Sequence, residues 1–525
     1  MGGYTGKILR INLTEGKTGI ESLNMELARK YLSGRGLAGK MFFDEVAADV
    51  KAFAPENKIY IAAGVLTGTN APASGRFTVV TKSPLNGAIS SSNSGGYWGV
   101  QLKFAGYDMV ILEGKAAYPV YISIKDDLVE IKDASQLWGK DVYAATEALK
   151  LEFGDPMAKV MTIGPAGENL SLMAVFMNDL NRAAGRSGVG AVMGSKNLKA
   201  IIVRGTGKIE NANICYRCPI DCGHQKKWED GENTRSKRKI KSSFASDCGI
   251  HDYEAIHVAN DLCNKLGLDS ISVGCTIATG MELVQRGFIK PEELDGTLLE
   301  FGNIEGIREW IRKIAHAQGL GAKMAQGAYH FAESYGHPEL SMTVKRLEVP
   351  ASDYRVIQGQ SLQFATGNQG GGHDRGYKAV SPEILGFSQL IDKDSIKGKS
   401  MWVKILQDLT AVIDSLGMCL FTSAALGLSD YTAIVNAVTG FDYTDVELLA
   451  CGDRIWNIER LHNLRTGMTT ADDTLPESLL KIEIPVGSSK GSIHRLQELL
   501  PAYYTERGWD EAGVPTPECL KKLRI

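Results

Sequence analysis

The chain has 525 residues, 44% hydrophobic and 23% charged, with a formal net charge of −3 and neither an acidic nor a basic tail, which argues against nucleic acid as its main partner. No stretch approaches the roughly 18 consecutive apolar residues of a membrane span, and Met1-Gly2-Gly3-Tyr4 opens no signal region, so the expected location is cytoplasmic. The nine cysteines, an odd number, fit a reducing compartment better than a disulfide framework.

Leu9, Ile11 and Leu13 alternate with polar residues and run into Thr14-Glu15-Gly16-Lys17, which predicts a hairpin. Short helices are expected over 25–32 and 37–46, then strands over 58–63 and 77–81. Ser92-Asn93-Ser94-Gly95-Gly96 reads as the opening of a helix, and 120–132 as a second hairpin through Asp126-Asp127. Two loops follow, Gly164-Pro165-Ala166-Gly167-Glu168-Asn169 and the run from Asn181 to Gly190. Their glycines and arginines would let amides and guanidinium groups surround phosphate oxygens. Neither has the Walker or dinucleotide spacing, so ordinary turn chemistry is the alternative.

Cys215, Cys218 and Cys222 lie within eight residues, a spacing that lets thiolates converge on one inorganic centre, an iron–sulfur cluster or zinc, with a fourth ligand from elsewhere. Lys226-Lys227 and residues 235–241 form a basic stretch: a solvated face, or a docking patch for an acidic electron carrier or an anionic substrate. Helices are expected over 255–266, 272–286 and 307–317, with Gly287 and Gly319 as stops, and helix again over 401–463. His337, beside Pro338, reads as a loop residue. Gly370-Gly371-Gly372-His373-Asp374-Arg375-Gly376 is a third ligand-like loop. Cys248, Cys263, Cys275, Cys451 and Cys519 have no paired spacing and read as packed or free thiols.

The ordered runs Ala71-Pro72 to Arg76, Thr81-Lys82-Ser83-Pro84, Asn93-Ser94-Gly95-Gly96-Tyr97, 102–107, Gly164 to Asn169 and Arg182-Ala183-Ala184-Gly185-Arg186 resemble the tungsten-dependent aldehyde:ferredoxin oxidoreductases. The resemblance resumes after the cysteine triplet with Leu266-Gly267-Leu268-Asp269, 334–340, 381–386 and Asp414-Ser415-Leu416-Gly417-Met418-Cys419, so it runs almost end to end.

It implies an α+β fold. A β-rich base over 1–208 would bind two pterin-dithiolenes carrying one tungsten or molybdenum. Mainly helical domains over 209–342 and 343–525 would cover it. Cys215, Cys218, Cys222 and Cys419 would hold a [4Fe–4S] cluster, with Arg76 between cluster and pterin. Asn93 and Ala183 would offer carbonyls to a Mg2+ joining the pterin phosphates, beside Gly95, Gly96, Arg182 and Gly185. Asn264 to Asp269, with Leu268, and Asp414 to Cys419, with Met418, would grip the two pterins, and Arg375 would be a further contact. Asn264 stands where the family usually has Asp; it keeps an acceptor and loses a charge. His373 falls on the family's active-site histidine.

The chain departs from the family in several places. Only Gly205 to Asn213 joins the first region to the cysteines, where relatives carry a long helical segment. A glutamate-bearing run is replaced by Arg238-Lys239-Ile240-Lys241, which makes Lys239 a second catalytic candidate and points to an anionic or thioester-like substrate. Gly359-Gln360-Ser361-Leu362-Gln363 is more polar than the glycine-rich run expected there. Val258 and Arg308 occupy positions where some relatives hold a metal between subunits, so no bridging metal is expected. The implied reaction is aldehyde to carboxylic acid, with electrons passing to ferredoxin. A low-potential reductase of an activated acid, or a cofactor-holding electron-transfer subunit, are the alternatives. The expected assembly is a homodimer without bridging metal, or a pairing with another subunit.

Overall fold

The computed structural model describes residues 2–206, 216–219, 225–227, 233–235, 243–376, 383, 390–393 and 395–525, with only the backbone of 225–227 and 233–235. Cys215, Cys222, Lys239 and most of the basic stretch lie outside the described residues.

Twelve strands up to Arg204 form two six-stranded sheets. The first contains β1 Lys7–Asn12, β2 Lys17–Ser22, β3 Ile59–Ala63, β4 Phe77–Lys82, β5 Ile89–Ser94 and β6 Met109–Glu113, in the order β2-β1-β6-β3-β4-β5. The second contains β7 Val120–Lys125, β8 Leu128–Asp133, β9 Lys159–Thr162, β10 Phe176–Asn178, β11 Arg182–Ala184 and β12 Leu198–Arg204, ordered β11-β10-β9-β12-β7-β8. Reading β7 to β12 as β1 to β6 makes the two orders identical. In each sheet the opening hairpin attaches through the one parallel pairing, β1 with β6 and β7 with β12. The base is a duplicated unit.

Period-two alternation separates the faces of the first sheet. Ile59 and Ile61 face the shared core between the sheets, while Tyr60 and Ala62 pack outward against Ala38 and Phe42 of the helix Gly34–Glu45. Each unit also lends a helix to the other. Trp98–Phe104 packs on β9 and β12, with Trp98 Nε1 donating to Ile201 O at 3.1 Å, and Val189–Ser195 packs on β4.

Two sequence expectations change here. Ser92, Asn93 and Ser94 do not open a helix; they pair with Val79, Thr78 and Phe77 as the end of β5, and the helix starts at Trp98, beyond the two glycines. The Asn181 to Gly190 run is not one loop, because Arg182–Ala184 pairs with β10 and a helix begins at Val189. Both hairpins stand as expected.

Beyond the base, Tyr253–Leu266, Ser270–Gln285 and Ile304–Ala315 pack around Trp310, whose Nε1 donates to Leu298 O at 3.0 Å. Lys399–Leu416, Asp445–Arg465 and Leu496–Arg507 form the last helical core around Trp456 and Tyr503. A fully buried large apolar side chain contributes on the order of 2–3 kcal/mol, so these aromatics anchor their clusters. Cys248, Cys263, Cys275 and Cys451 are buried free thiols, and Cys519 is half-buried. His337 precedes a short turn and stacks on Phe288.

Candidate active site

Two glycine seams join the helical regions to the base. The helix Lys399–Leu416 ends at Gly417, whose φ of +78° suits glycine; a side chain there would press on Gly64 Cα at 2.8 Å. Gly64 follows β3. The strand extension bonds directly to the helix end, Leu66 N to Leu416 O at 2.9 Å and Arg76 N to Gly417 O at 3.1 Å. The duplicate unit repeats the arrangement: Gly267 ends Tyr253–Leu266 and meets Gly164 after β9, with Val175 N donating to Gly267 O at 3.0 Å. The two family-like motifs, Asn264 to Asp269 and Asp414 to Cys419, are thus the same feature used once per sheet.

Ala73 clamps two cysteine-bearing segments. Its N–H donates to Arg217 O at 2.8 Å and its carbonyl accepts from Cys419 N at 3.0 Å. Cys218 and Cys419 consequently pack with Ala73 in one small buried cluster. Arg76 Nη2 lies 3.4 Å from Cys419 Sγ, and its Nη1 hydrogen-bonds Asn93 Oδ1.

Behind this layer is a buried ionic network. Asn93 Nδ2 donates to Asp414 Oδ1 at 2.8 Å, while Asp414 Oδ2 accepts from Arg375 Nη1 at 2.8 Å and from Arg35 Nη1 at 3.3 Å. Arg35 also forks onto both Glu459 oxygens at 2.8 Å. Burial pushes the Asp414 carboxyl up, and Arg375 and Arg35 oppose it. Burial would also raise Asp374, yet Arg375 and His373 beside it hold it at about 2. Charges this deep are retained only when paired and hydrogen-bonded.

These elements surround a cavity of about 640 Å3. One wall, from the base and the loop after Cys419, carries Arg76, Asn93, Gly95, Arg182, Ala183 and Cys419. The other comes from a single stretch and carries Ser352, Tyr354, Ile357, Gln360, His373 and Asp374. The structure therefore gathers seven sequence candidates: Arg76, Asn93, Gly95, Arg182, Ala183, His373 and Cys419. Asn93 and Ala183 stand on β5 and β11, the strands along which the two sheets meet; Ser92 Oγ donates to Gly185 O at 2.7 Å there.

Other candidates serve the site from outside the cavity lining. Gly96 has φ +102° and lets Asp179 reach Tyr97 N at 2.7 Å. Asp269 caps the helix Ser270–Gln285 and pairs with Arg186 at 3.2 Å, so its carboxylate is committed within the protein. Leu268 and Met418 are buried in hydrophobic clusters. Asn264 is half-buried, and its carbonyl accepts from Gly267 N at 3.3 Å. Arg375 and Asp414 act through the network just described. Arg35 and Glu459 were not singled out in the sequence; the Gly34-Arg35-Gly36 run was the one available signal.

The residues present fit a large anionic group: Arg76 and Arg182 line the cavity, and the buried thiols of Cys218 and Cys419 pack together beside it.

A duplicated sheet base packed against two helical regions, with thiols beside an arginine-lined cavity, is an arrangement that comparison with known proteins assigns to the oxidoreductases. The chain belongs to the aldehyde ferredoxin oxidoreductase family: residues 8–205 match the model of that family's N-terminal domain, and residues 186–525 match its domains 2 and 3. It is 44% identical to the tungsten-containing aldehyde ferredoxin oxidoreductase of Pyrococcus furiosus and 42% identical to that of Thermococcus kodakarensis, in each case over 100% of this chain and 99% of the relative. Both alignments run over 602 positions, several tens more than the residues here. Among solved structures, the active site complex BamBC of benzoyl coenzyme A reductase, bound to 1,5-dienoyl-CoA, superposes with a TM-score of 0.88 at 25% identity, covering 100% of this chain and 97% of that one.

Proposed function

We propose that this chain is a tungsten or molybdenum bis-pterin oxidoreductase that converts an aldehyde and water to a carboxylic acid, releasing two protons and two electrons, with the electrons leaving singly through a [4Fe–4S] cluster to ferredoxin. The observation that carries this reading is the convergence of Cys218 and Cys419 beside a cavity from which Arg76 reaches the Cys419 sulfur. Full-length relatives above 40% identity that bear the tungsten-containing name support it.

When bound, the metal–dithiolene centre supplies the two-electron redox chemistry and the cluster the one-electron exit. The protein holds and orients. Cys215, Cys218, Cys222 and Cys419 would ligate the cluster. Backbone carbonyls of Asn93 and Ala183 would hold a Mg2+, with Gly95, Gly96, Arg182 and Gly185 around the phosphates. The segments ending in Gly267 and Gly417, with Asn264 and Asp414, would face the two pterins, and Arg375 keeps Asp414 in place. His373, which also lines the cavity, takes a proton on an imidazole nitrogen as the acid forms. Lys239 belongs to the same proposal as a group that would attract an anionic substrate.

The low-potential reductase reading draws on the BamBC likeness, and the higher identity to aldehyde oxidisers favours oxidation. A homodimer lacking a bridging metal remains part of the proposal: Val258 is exposed and Arg308 pairs with Glu305 at 2.7 Å. Among the described residues no helix is long and apolar enough to cross a membrane.

Anaerobically purified protein should contain tungsten or molybdenum, pterin and about four irons per chain, and should oxidise aldehydes with an artificial electron acceptor. Iron without either heavy metal would favour the electron-transfer subunit instead. Small neutral aldehydes compared with carboxylate-bearing ones, in wild type and Lys239→Ala, decide the substrate charge.

A further inference from the structure

The polar run on the helix Gln358–Thr366 has a specific destination. Gln363 is fully buried and Gln360 nearly so, and a buried amide is costly unless its hydrogen bonds are made. Gln363 Nε2 donates to Gly372 O at 3.1 Å, and Gln363 Oε1 accepts from Gln360 Nε2. A backbone carbonyl can only accept, so Gly372 sets which way the Gln363 amide faces, and Gln363 in turn sets Gln360. Gln360 and His373 both line the cavity, and Gly372 is the residue immediately before His373. The amide chain thus leaves the cavity wall, crosses the interior and returns to the backbone that carries the imidazole.

The neighbouring peptides are anchored too. Gly371 N donates to Val344 O at 3.2 Å, Gly371 O accepts from Arg186 Nη1 at 3.1 Å, and Arg375 is tied to Asp414. Gly372 N donates to Gly370 O at 2.7 Å, and Gly372 O, the carbonyl before His373, accepts from Gln363; two leucines at 360 and 363 would fill the helix face without making that bond.

We propose that Gln360 and Gln363 form an amide relay that positions His373. They are positioning residues, and the proposal rests on the reading of His373 as the proton carrier.

The test uses the holoenzyme. Q363L removes the donor to Gly372, and hydrogen–deuterium exchange of peptides covering 370–376 should quicken while kcat falls about tenfold or more and KM changes little. Q363E should be conditional: a protonated glutamic acid still donates to Gly372 O, whereas the ionised carboxylate repels it. Its kcat should therefore lie near wild type at low pH and drop through one added ionisation as pH rises, with metal and cluster content constant. Wild-type exchange and kcat in Q363L, or a Q363E profile parallel to wild type, overturns the relay. If Q363L fails to load its cofactors, Q360L carries the test, since it leaves Gln363 Oε1 unpaired and should quicken the same peptides. H373N distinguishes the two layers: full turnover in H373N defeats the His373 reading and the catalytic half of the relay, while unchanged exchange in Q363L defeats the relay alone.

Discussion

Arg76 reaches Cys419 across 343 residues of sequence, with Nη2 at 3.4 Å from the sulfur. A guanidinium against a thiolate stabilises the more negative, reduced state of whatever that sulfur ligates. Arg76→Met should therefore lower the reduction potential of the proposed cluster by tens of millivolts; about 59 mV corresponds to a tenfold change for one electron. Redox titration monitored by electron paramagnetic resonance measures it. A potential equal to wild type would remove Arg76 from the electron route.

The thiols separate by surroundings. Cys419→Ser and Cys218→Ser should abolish or convert the reduced-cluster signal. Cys248→Ser should leave it intact, since Cys248 is buried against Gly274 O and burial pushes its thiol well up. A normal signal in Cys419→Ser would mean that the fourth ligand lies elsewhere.

The buried fork between Arg35 and Glu459 should couple strongly. Arg35→Met strands Glu459 and weakens the hold on Asp414, and breaking such a pair costs about 3–5 kcal/mol. The double variant Arg35→Met/Glu459→Met should recover part of that loss. The exposed Arg286–Glu282 pair, at 2.7 Å, should cost less than about 1 kcal/mol when broken. Thermal or chemical unfolding of Arg35→Met, Glu459→Met, the double variant and Arg286→Met is the measurement, and additive losses at Arg35 and Glu459 would contradict the coupling.

Acid should destabilise the packing around His462 and His494. Burial lowers His462 and His494 to about 4, below the ordinary value near 6.5. The unfolded chain binds these protons more readily, so stability present above pH 6.5 is lost as pH falls toward 4, by roughly 3 kcal/mol per histidine. His494→Gln should flatten the acid limb of a stability–pH curve. An unchanged limb would show that another group controls it.

Legibility in the sequence followed range. Hairpins and the helices after the cysteines are local patterns and stand close to where they were expected, while of the cysteine triplet only Cys218 lies among the described residues. The resemblance supplied Cys419, Asn93 and Ala183. The duplication is not legible in the sequence because it lives in strand order, while the paired glycines Gly64 and Gly164 sit in dissimilar surroundings. Arg35 and Glu459 lie 424 residues apart, and no periodicity links them. In sequence Gln363 is only an oddly polar residue; its partner, Gly372 O, comes within reach once the backbone is folded.

The two glycine seams also impose an order on biosynthesis. The seam at Gly164 and Gly267 is complete once translation has just passed the midpoint of the chain, whereas the one at Gly64 and Gly417 waits for a helix much later in the sequence. Domains generally fold as they emerge, N-terminal first. The nascent base thus keeps one flank open until Gly417 is made and docks, and with Cys419 two residues further on, closing that flank also brings in the thiol proposed as the cluster's fourth ligand.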